Sequence, residues 1–154
     1  MVRSEEVNVS RQWMLLAFLP IALPASAQRA LTMNIEFRNS NSSSLYVVVS
    51  KGLTRGRIDC DPEPSTIRWI NPASTARMRC VAYAFGSRDV WVKFAGHNNR
   101  KEVVNSAVLR VYGPTHEFKC YKGCTIHDRW NCGDTGPCSV AIEVITDRLP
   151  RPGS

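Results

Sequence analysis

The sequence lacks several features that would assign it to a familiar class of protein. No apolar run reaches the roughly 18 residues that a membrane-spanning helix requires, which predicts no integral membrane segment in the mature chain. There is no glycine-rich phosphate loop, no G-x-S-x-G motif and no motif of a known nucleic-acid-binding family. The sequence therefore carries no signature of a nucleotide-dependent enzyme or of a serine hydrolase.

Extreme composition is absent as well. The chain has 154 residues, of which 44% are hydrophobic and 21% are charged, so an intrinsically disordered chain is excluded and one globular domain is expected. Acidic residues are the scarcer charged class, with 13 Asp and Glu against 20 Lys and Arg. The resulting net charge of +7 favours an anionic partner.

The amino terminus has the organisation of a secretory signal peptide. Arg3 and Arg11 precede an apolar stretch over residues 13–23, and small residues follow up to Ala27. A basic segment, an apolar segment and an Ala-x-Ala ending are the three parts of such a signal. We predict cleavage after Ala27, a signal peptide at 1–27 and a secreted or periplasmic protein.

The predicted cleavage leaves a β domain at 28–147 and a flexible carboxy-terminal tail at 148–154. The signal peptide removes as many basic as acidic residues, so the whole +7 belongs to the mature protein. Two glutamates near the start make the first segment less basic than is usual for a signal. This leaves open whether Met1 or Met14 is the true start.

Alternation of apolar and polar residues, with a period of two, dominates the predicted mature chain. The first strand carries Met33, Ile35 and Phe37 on one face, and residues 45–49 form an apolar partner in a predicted hairpin. Further strands are predicted at 66–70, 75–85, 90–94, 107–112, 117–121 and 139–146. Seven or eight short strands and no amphipathic helix predict an all-β fold, an antiparallel β-sandwich or small barrel stabilised by disulfides.

Two stretches are predicted to be irregular. Residues 51–64 are rich in glycine, proline and charge, which is typical of an exposed excursion, and Cys60 would anchor it. A compact cysteine-rich loop is expected between the strands at 117–121 and 139–146.

Six cysteines lie in the predicted mature protein: Cys60, Cys80, Cys120, Cys124, Cys132 and Cys138. An even number in an exported chain predicts up to three disulfides. The last four, with nearby histidines, contain enough sulfur and nitrogen for zinc, but no C-x2-C pair is present, so we predict no metal and no cofactor. A nested arrangement would join Cys120 to Cys138 and Cys124 to Cys132, leaving Cys60 with Cys80, although three connectivities of the four clustered cysteines stay open.

Arginine supplies most of the positive charge and is well suited to bind phosphates and carboxylates. If the strands at 66–70 and 75–85 pair, then Arg68, Arg77 and Arg79 share a face and form a cationic ladder for an anionic polymer. The alternative is an ordinary solvated surface on which salt screens the like charges.

Trp130 lies between Arg129 and Asn131 inside the expected cysteine loop. An exposed tryptophan there would form a binding tip, so we add Trp130 to the three arginines as a predicted binding residue. These features favour a non-enzymatic exported protein that binds an anionic polymer, such as an envelope component, a polysaccharide or a host component.

Two hypotheses from other classes stay open. A small secreted cationic hydrolase or toxin, similar to a ribonuclease, would use His116, Glu117 and His127 as acid, base or phosphate ligands, and these side chains would have to meet in one cleft. A protein inhibitor or immunity factor would insert the 120–138 loop into the active site of a protein partner. This last hypothesis requires the loop to protrude.

Overall fold

The computed structural model describes residues 30–83, 89–113, 115–132 and 138–149. The predicted signal peptide and most of the predicted tail lie outside these residues. Ten strands follow one another: β1 (Leu31–Arg38), β2 (Leu45–Arg55), β3 (Arg57–Asp61), β4 (Trp69–Ile70), β5 (Thr75–Tyr83), β6 (Asp89–His97), β7 (Val103–Tyr112), β8 (Thr115–Lys122), β9 (Cys124–Cys132) and β10 (Cys138–Thr146). Within the described ranges, no helix has the length and apolar character of a membrane span.

The strands form two five-stranded sheets. Sheet A has the order β3-β5-β1-β10-β9, and sheet B has the order β4-β2-β6-β7-β8. The all-β, disulfide-stabilised sandwich predicted from the alternation is therefore confirmed. All the strand pairs are antiparallel except β1 and β10, which run parallel in the middle of sheet A.

The predicted hairpin between the first two strands is wrong. β1 pairs with β5 and β10 in sheet A, whereas β2 pairs with β4 and β6 in sheet B. Asn39 is fully buried where the chain crosses between the sheets, and its amide nitrogen donates to the carbonyl of Ile70 at 2.9 Å. Its side-chain oxygen accepts from the backbone N–H of Asn41 at 2.9 Å. These bonds replace the hairpin ladder that the local sequence suggests.

The structure contains two strands that the sequence does not signal. The expected excursion includes β3, whose Ile58 and Cys60 are buried while Arg57 and Asp61 at its ends are exposed. The expected cysteine-rich loop is mostly β9, an edge strand of sheet A. The predicted strand at 66–70 shrinks to β4, because a 3-10 turn at Pro64–Thr66 precedes it.

The core lies between the two sheets. Every second side chain of β1 is buried, and so is every second side chain at the start of β2. Phe37 of sheet A stacks on Phe94 of sheet B, with ring centroids 4.6 Å apart and planes inclined by 12°. This contact joins the two sheets within the apolar core.

The disulfides join Cys60 to Cys80, Cys120 to Cys124 and Cys132 to Cys138. The first pair is the one that the sequence suggested, but the nested arrangement of the other four is wrong. Cys124 and Cys132 stand at opposite ends of β9, which separates them by roughly 26 Å at the usual rise of a strand, far beyond the reach of a disulfide. Three disulfides indicate an oxidising extracellular or periplasmic environment.

Gly123 marks the corner at which the chain passes from β8 in sheet B to β9 in sheet A. Its φ of 58° lies in the left-handed region, and an added Cβ would collide with the carbonyl oxygen of Val104. Its own carbonyl accepts hydrogen bonds from the side chain of Asn105 and, at 2.8 Å, from the backbone N–H of Asp147. Glycine is therefore required here for conformation and for space.

We expect Gly123→Ala to destabilise the protein more than Gly113→Ala. Gly113 has a similar φ of 55° but no atom within 4 Å of an added Cβ, so its substitution costs only the left-handed strain of about 1–2 kcal/mol. At Gly123 the collision adds about 1 kcal/mol or more. Urea unfolding of both variants measures this difference, and equal losses would show that the corner can relax.

Candidate binding surface

The predicted arginine ladder is divided between the two sheets. The strand that follows Arg68 pairs with β2 in sheet B, whereas Arg77 and Arg79 belong to β5 in sheet A. The pairing of 66–70 with 75–85 is therefore wrong, and Arg68 is not part of one face with the other two. The reason is that β4 completes the edge of the opposite sheet beside β2.

Arg77 and Arg79 lie on the outer face of sheet A among carboxylates. The Nε of Arg77 donates to Glu36 at 2.9 Å, and Arg79 lies opposite Asp61 of β3 in the strand register. Arg38 forms a further ion pair with Glu143 at 3.4 Å. The outer face of sheet A thus carries charges of both signs. Anion binding by Arg68, Arg77 and Arg79 stays a prediction.

Trp130 does not occupy a loop tip. It lies within β9, half-buried, and its ring stacks on Phe118 of β8 with centroids 5.8 Å apart and planes inclined by 2°. The His116 ring lies 4.3 Å from the Trp130 ring and 5.0 Å from the Phe118 ring, measured between centroids. The indole N–H donates to Asp128 at 2.6 Å. Trp130 thus packs across the gap between two edge strands, and its role in ligand binding stays a prediction.

The residues of the hydrolase hypothesis do not meet in one cleft. His116 contacts Trp130 and Phe118 between the sheets. Glu117 lines a depression on sheet B, whereas His127 lines a different depression on sheet A. The alternation along β8 places His116 and Glu117 on opposite faces. The three side chains therefore do not face one site in which a single substrate could contact all of them.

The segment expected to protrude as an inhibitory loop is largely strand. Residues 124–132 are paired with β10 along their whole length. The connection at 133–137, which the Cys132–Cys138 disulfide closes, lies outside the described residues. Where the hypothesis requires a disulfide-locked loop over 120–138, the structure contains β9, which is paired with β10 at the edge of sheet A.

The outer face of sheet B has a different character from that of sheet A. Most of the exposed large apolar side chains of the described residues lie on its strands, namely Tyr46, Val48, Leu53, Trp69, Val103, Tyr112 and Tyr121. A depression of about 640 Å³ lies on this face. We call it the Trp91 depression, and its lining is Thr54, Asp89, Trp91, Lys93, Val108, Arg110, Glu117, Lys119 and Tyr121.

Trp91 forms a flat element of this depression because of Gly52. The two residues are cross-strand partners in β6 and β2, and the indole ring lies where a side chain at position 52 would otherwise stand. The ring is half-buried and rests on the backbone of β2. An aromatic ring held in this way can stack on a planar or apolar ligand face.

Two lysines flank Val108 in one cross-strand row. Lys93 of β6 and Lys119 of β8 are the register partners of Val108 on either side. The Lys93 ammonium lies 5.6 Å from the centre of the Trp91 ring, and the Lys119 ammonium lies 4.9 Å from that of Tyr121. Among the described residues, neither ammonium has a carboxylate within salt-bridge distance.

Arg110 and Asp89 form an ion pair in the lining of the Trp91 depression. The Arg110 guanidinium donates two hydrogen bonds to the Asp89 carboxylate, both at 2.9 Å. This pairing lowers the pKa of Asp89 and raises that of Arg110, mainly through the hydrogen bonds. Asp89 therefore keeps its charge at neutral pH and below. Lys93, Lys119 and Glu117 are the charged groups of the depression that form no ion pair among the described residues.

A second aromatic group occupies the other end of the same face. Trp69 and Tyr46 meet edge to face with ring centroids 5.1 Å apart, and the ring of His97 lies 6.1 Å from that of Tyr46. Trp69 is 62% exposed, the largest value among the exposed large apolar side chains of the described residues. We call these three residues the Trp69 cluster.

Sequence reasoning missed Lys93 and Lys119 as site residues. Each occupies an outward position in the alternation of its strand, so the sequence predicts only that it faces solvent. Their proximity depends on the order β6-β7-β8, which the alternation does not encode. Hints were present in the pairing of lysine with an aromatic two residues away, in Trp91 with Lys93 and in Lys119 with Tyr121.

The side chains of the Trp91 depression suit the binding of a ligand. Among the described residues, no three His, Cys, Asp or Glu side chains are grouped to hold a metal ion, and all six cysteines are in disulfides. The Trp91 depression combines a flat aromatic ring, two free ammonium groups and carboxylates that accept hydrogen bonds. These groups can hold a ligand with an apolar face, hydroxyls and negative charge.

No protein-family model matches the chain, and no curated protein matches it in sequence. Among solved structures, the chain is similar to the crystal structure of IP-1A from Alcaligenes faecalis, with 13% identity and a TM-score of 0.48. The similarity covers 80% of this chain and 96% of that one.

Proposed function

We propose that this protein is an exported, non-enzymatic binding domain that recognises an anionic polymer through the outer face of sheet B. The polymer belongs to the class of envelope components, polysaccharides and host components. The observation that supports it most is the pair of ammonium groups of Lys93 and Lys119, which form no ion pair among the described residues and lie beside the rings of Trp91 and Tyr121.

The properties of the whole domain support the same function. A net charge of +7 draws an anionic polymer toward the domain at long range, and the two lysines concentrate part of that charge in one row. The three disulfides suit an extracellular or periplasmic protein. The predicted signal peptide supplies the route to that compartment.

The rigidity of the surface also favours binding. Trp91 is fixed over Gly52, and Tyr121 follows directly after Cys120, whose disulfide to Cys124 closes the corner of the fold. The contact groups of the Trp91 depression therefore stand on strands and on a covalently closed corner. Little backbone freedom is lost when a ligand binds to groups carried in this way.

We expect Lys93→Gln with Lys119→Gln to weaken binding to heparin about tenfold, because two exposed ion pairs of up to about 1 kcal/mol each are lost. The salt dependence of binding should become shallower, since fewer counterions are released. Elution from a heparin column and titration calorimetry at two salt concentrations measure both effects.

The matched control is Arg77→Gln with Arg79→Gln. It removes the same number of charges from the outer face of sheet A, where the sequence predicted the ladder. We expect this control to change heparin affinity much less than the lysine variant. Equal losses in the two variants would indicate attraction by net charge alone, and a larger loss in the control would favour the arginine surface.

A further inference from the structure

We infer that the outer face of sheet B is an extended track for a linear polysaccharide of uronic acids, which contacts the Trp91 depression and the Trp69 cluster at the same time. The inference rests on the proposed function and deepens it. It names the ligand class and assigns a second contact region.

The strand register places both aromatic regions along the same two strands. Tyr46 of β2 lies opposite His97 of β6, and Gly52 of β2 lies opposite Trp91 of β6. Six residues separate the two rows, which corresponds to about 20 Å along an antiparallel strand. An even separation keeps both rows on one face of the sheet. A single sugar ring cannot reach both regions, whereas a chain of several rings can.

Between the two regions, the outer face carries no aromatic ring on β2, β6 or β7. Two outward-facing rows cross these strands there, first Val48, Ala95 and Ser106 and then Ser50, Lys93 and Val108. Lys93, the one long side chain of the six, belongs to the Trp91 depression itself. Aromatic groups at both ends with no ring between them form a track rather than two separate pockets.

Hydroxyl groups favour a uronic acid chain over a nucleic acid backbone. Glu117 lines the Trp91 depression, and its carboxylate can accept hydrogen bonds from sugar hydroxyls, whereas a phosphodiester offers no donor. A polyuronate carries one carboxylate per acidic ring, together with hydroxyls and an apolar ring face. Lys93 and Lys119 can pair with the carboxylate while Trp91 stacks on the ring face.

The test measures binding of galacturonate oligosaccharides, from the disaccharide to the decasaccharide, to the wild-type protein and to Trp69→Ala and Trp91→Ala. We expect wild-type affinity to rise with chain length. Trp69→Ala should weaken decasaccharide binding about tenfold, the typical effect of losing one aromatic stacking contact, while disaccharide binding stays unchanged. Trp91→Ala should weaken binding of both.

Controls separate the track from general adhesion. Tyr83→Ala removes an aromatic ring from the outer face of sheet A, where it lies under the guanidinium of Arg57, and should leave every affinity unchanged. Neutral oligosaccharides of equal length should bind poorly. Because Trp69 is highly exposed, we expect its alanine variant to fold normally, and circular dichroism verifies the fold.

Each other outcome overturns a defined part of the inference. If Trp69→Ala leaves decasaccharide binding intact while the lysine variant weakens it, the track is wrong and the proposed function stands. If no galacturonate binds to the wild type but heparin does, the uronic acid assignment is wrong. If neither binds, the proposed function fails as well. Tighter binding of a single-stranded oligonucleotide that depends on Trp69 assigns the track to nucleic acid.

Discussion

Replacement of Phe37 by alanine is expected to lower the free energy of unfolding by about 3–5 kcal/mol, the usual cost of removing a buried aromatic ring. Phe37 is fully buried and stacks on Phe94 across the interface between the sheets. Its loss leaves a cavity at the point where the two layers meet. The surrounding strands are hydrogen-bonded to their neighbours within each sheet, so they cannot move far enough to fill the cavity.

Chemical denaturation of Phe37→Ala and of Val48→Ala measures this prediction. Val48 is 47% exposed on the outer face of sheet B, so its truncation should change stability by about 0.5 kcal/mol or less. A loss in Phe37→Ala no larger than that of the control would mean that the aromatic pair does not join the sheets. The folded fraction of Phe37→Ala should still bind heparin normally, because the ring does not reach the outer surface.

Removal of the Cys60–Cys80 disulfide, as Cys60→Ala with Cys80→Ala, is expected to lower the free energy of unfolding by about 3 kcal/mol. The bond closes a segment with a sequence separation of 20 residues, and the entropy that it removes from the unfolded chain grows with loop length. It also ties β3 to β5, so its loss weakens the attachment of an edge strand.

The disulfide between Cys120 and Cys124 provides the comparison. Its sequence separation is only 4, so its removal is expected to cost about 2 kcal/mol by the same argument. Denaturation of the two double variants under oxidising conditions gives the difference directly. If the short-loop variant proves the less stable one, native-state geometry outweighs chain entropy in this domain.

The core and the candidate site were predictable to different degrees. Alternation identified β1 correctly, together with the buried set Met33, Ile35 and Phe37. Strand alternation depends on nearest neighbours in the chain, so it is readable locally. The edge strands β3 and β9 were missed, because an edge strand is partly solvated and its sequence shows little apolar periodicity.

Which residues come together in the candidate site depends on the order of the strands in each sheet. Arg68, Arg77 and Arg79 were grouped on the assumption that strands adjacent in sequence pair, and β4 and β5 instead belong to different sheets. Lys93 and Lys119 were not grouped because 26 positions separate them in the sequence. They come together only because β7 lies between β6 and β8, with Val108 as the partner of both.

The sequence by itself determined the all-β class, the alternate buried residues of the first strand, the Cys60–Cys80 pair as one suggested bond and the positive charge. These properties follow from composition and from contacts between near neighbours in the chain. Only the tertiary structure decided which strands pair, how the last four cysteines join and which face collects exposed aromatic rings with free lysines. The reason is that strand pairing depends on contacts between residues far apart in the chain, which form when the two sheets bury their inner faces against each other. The local sequence carries little information about these contacts.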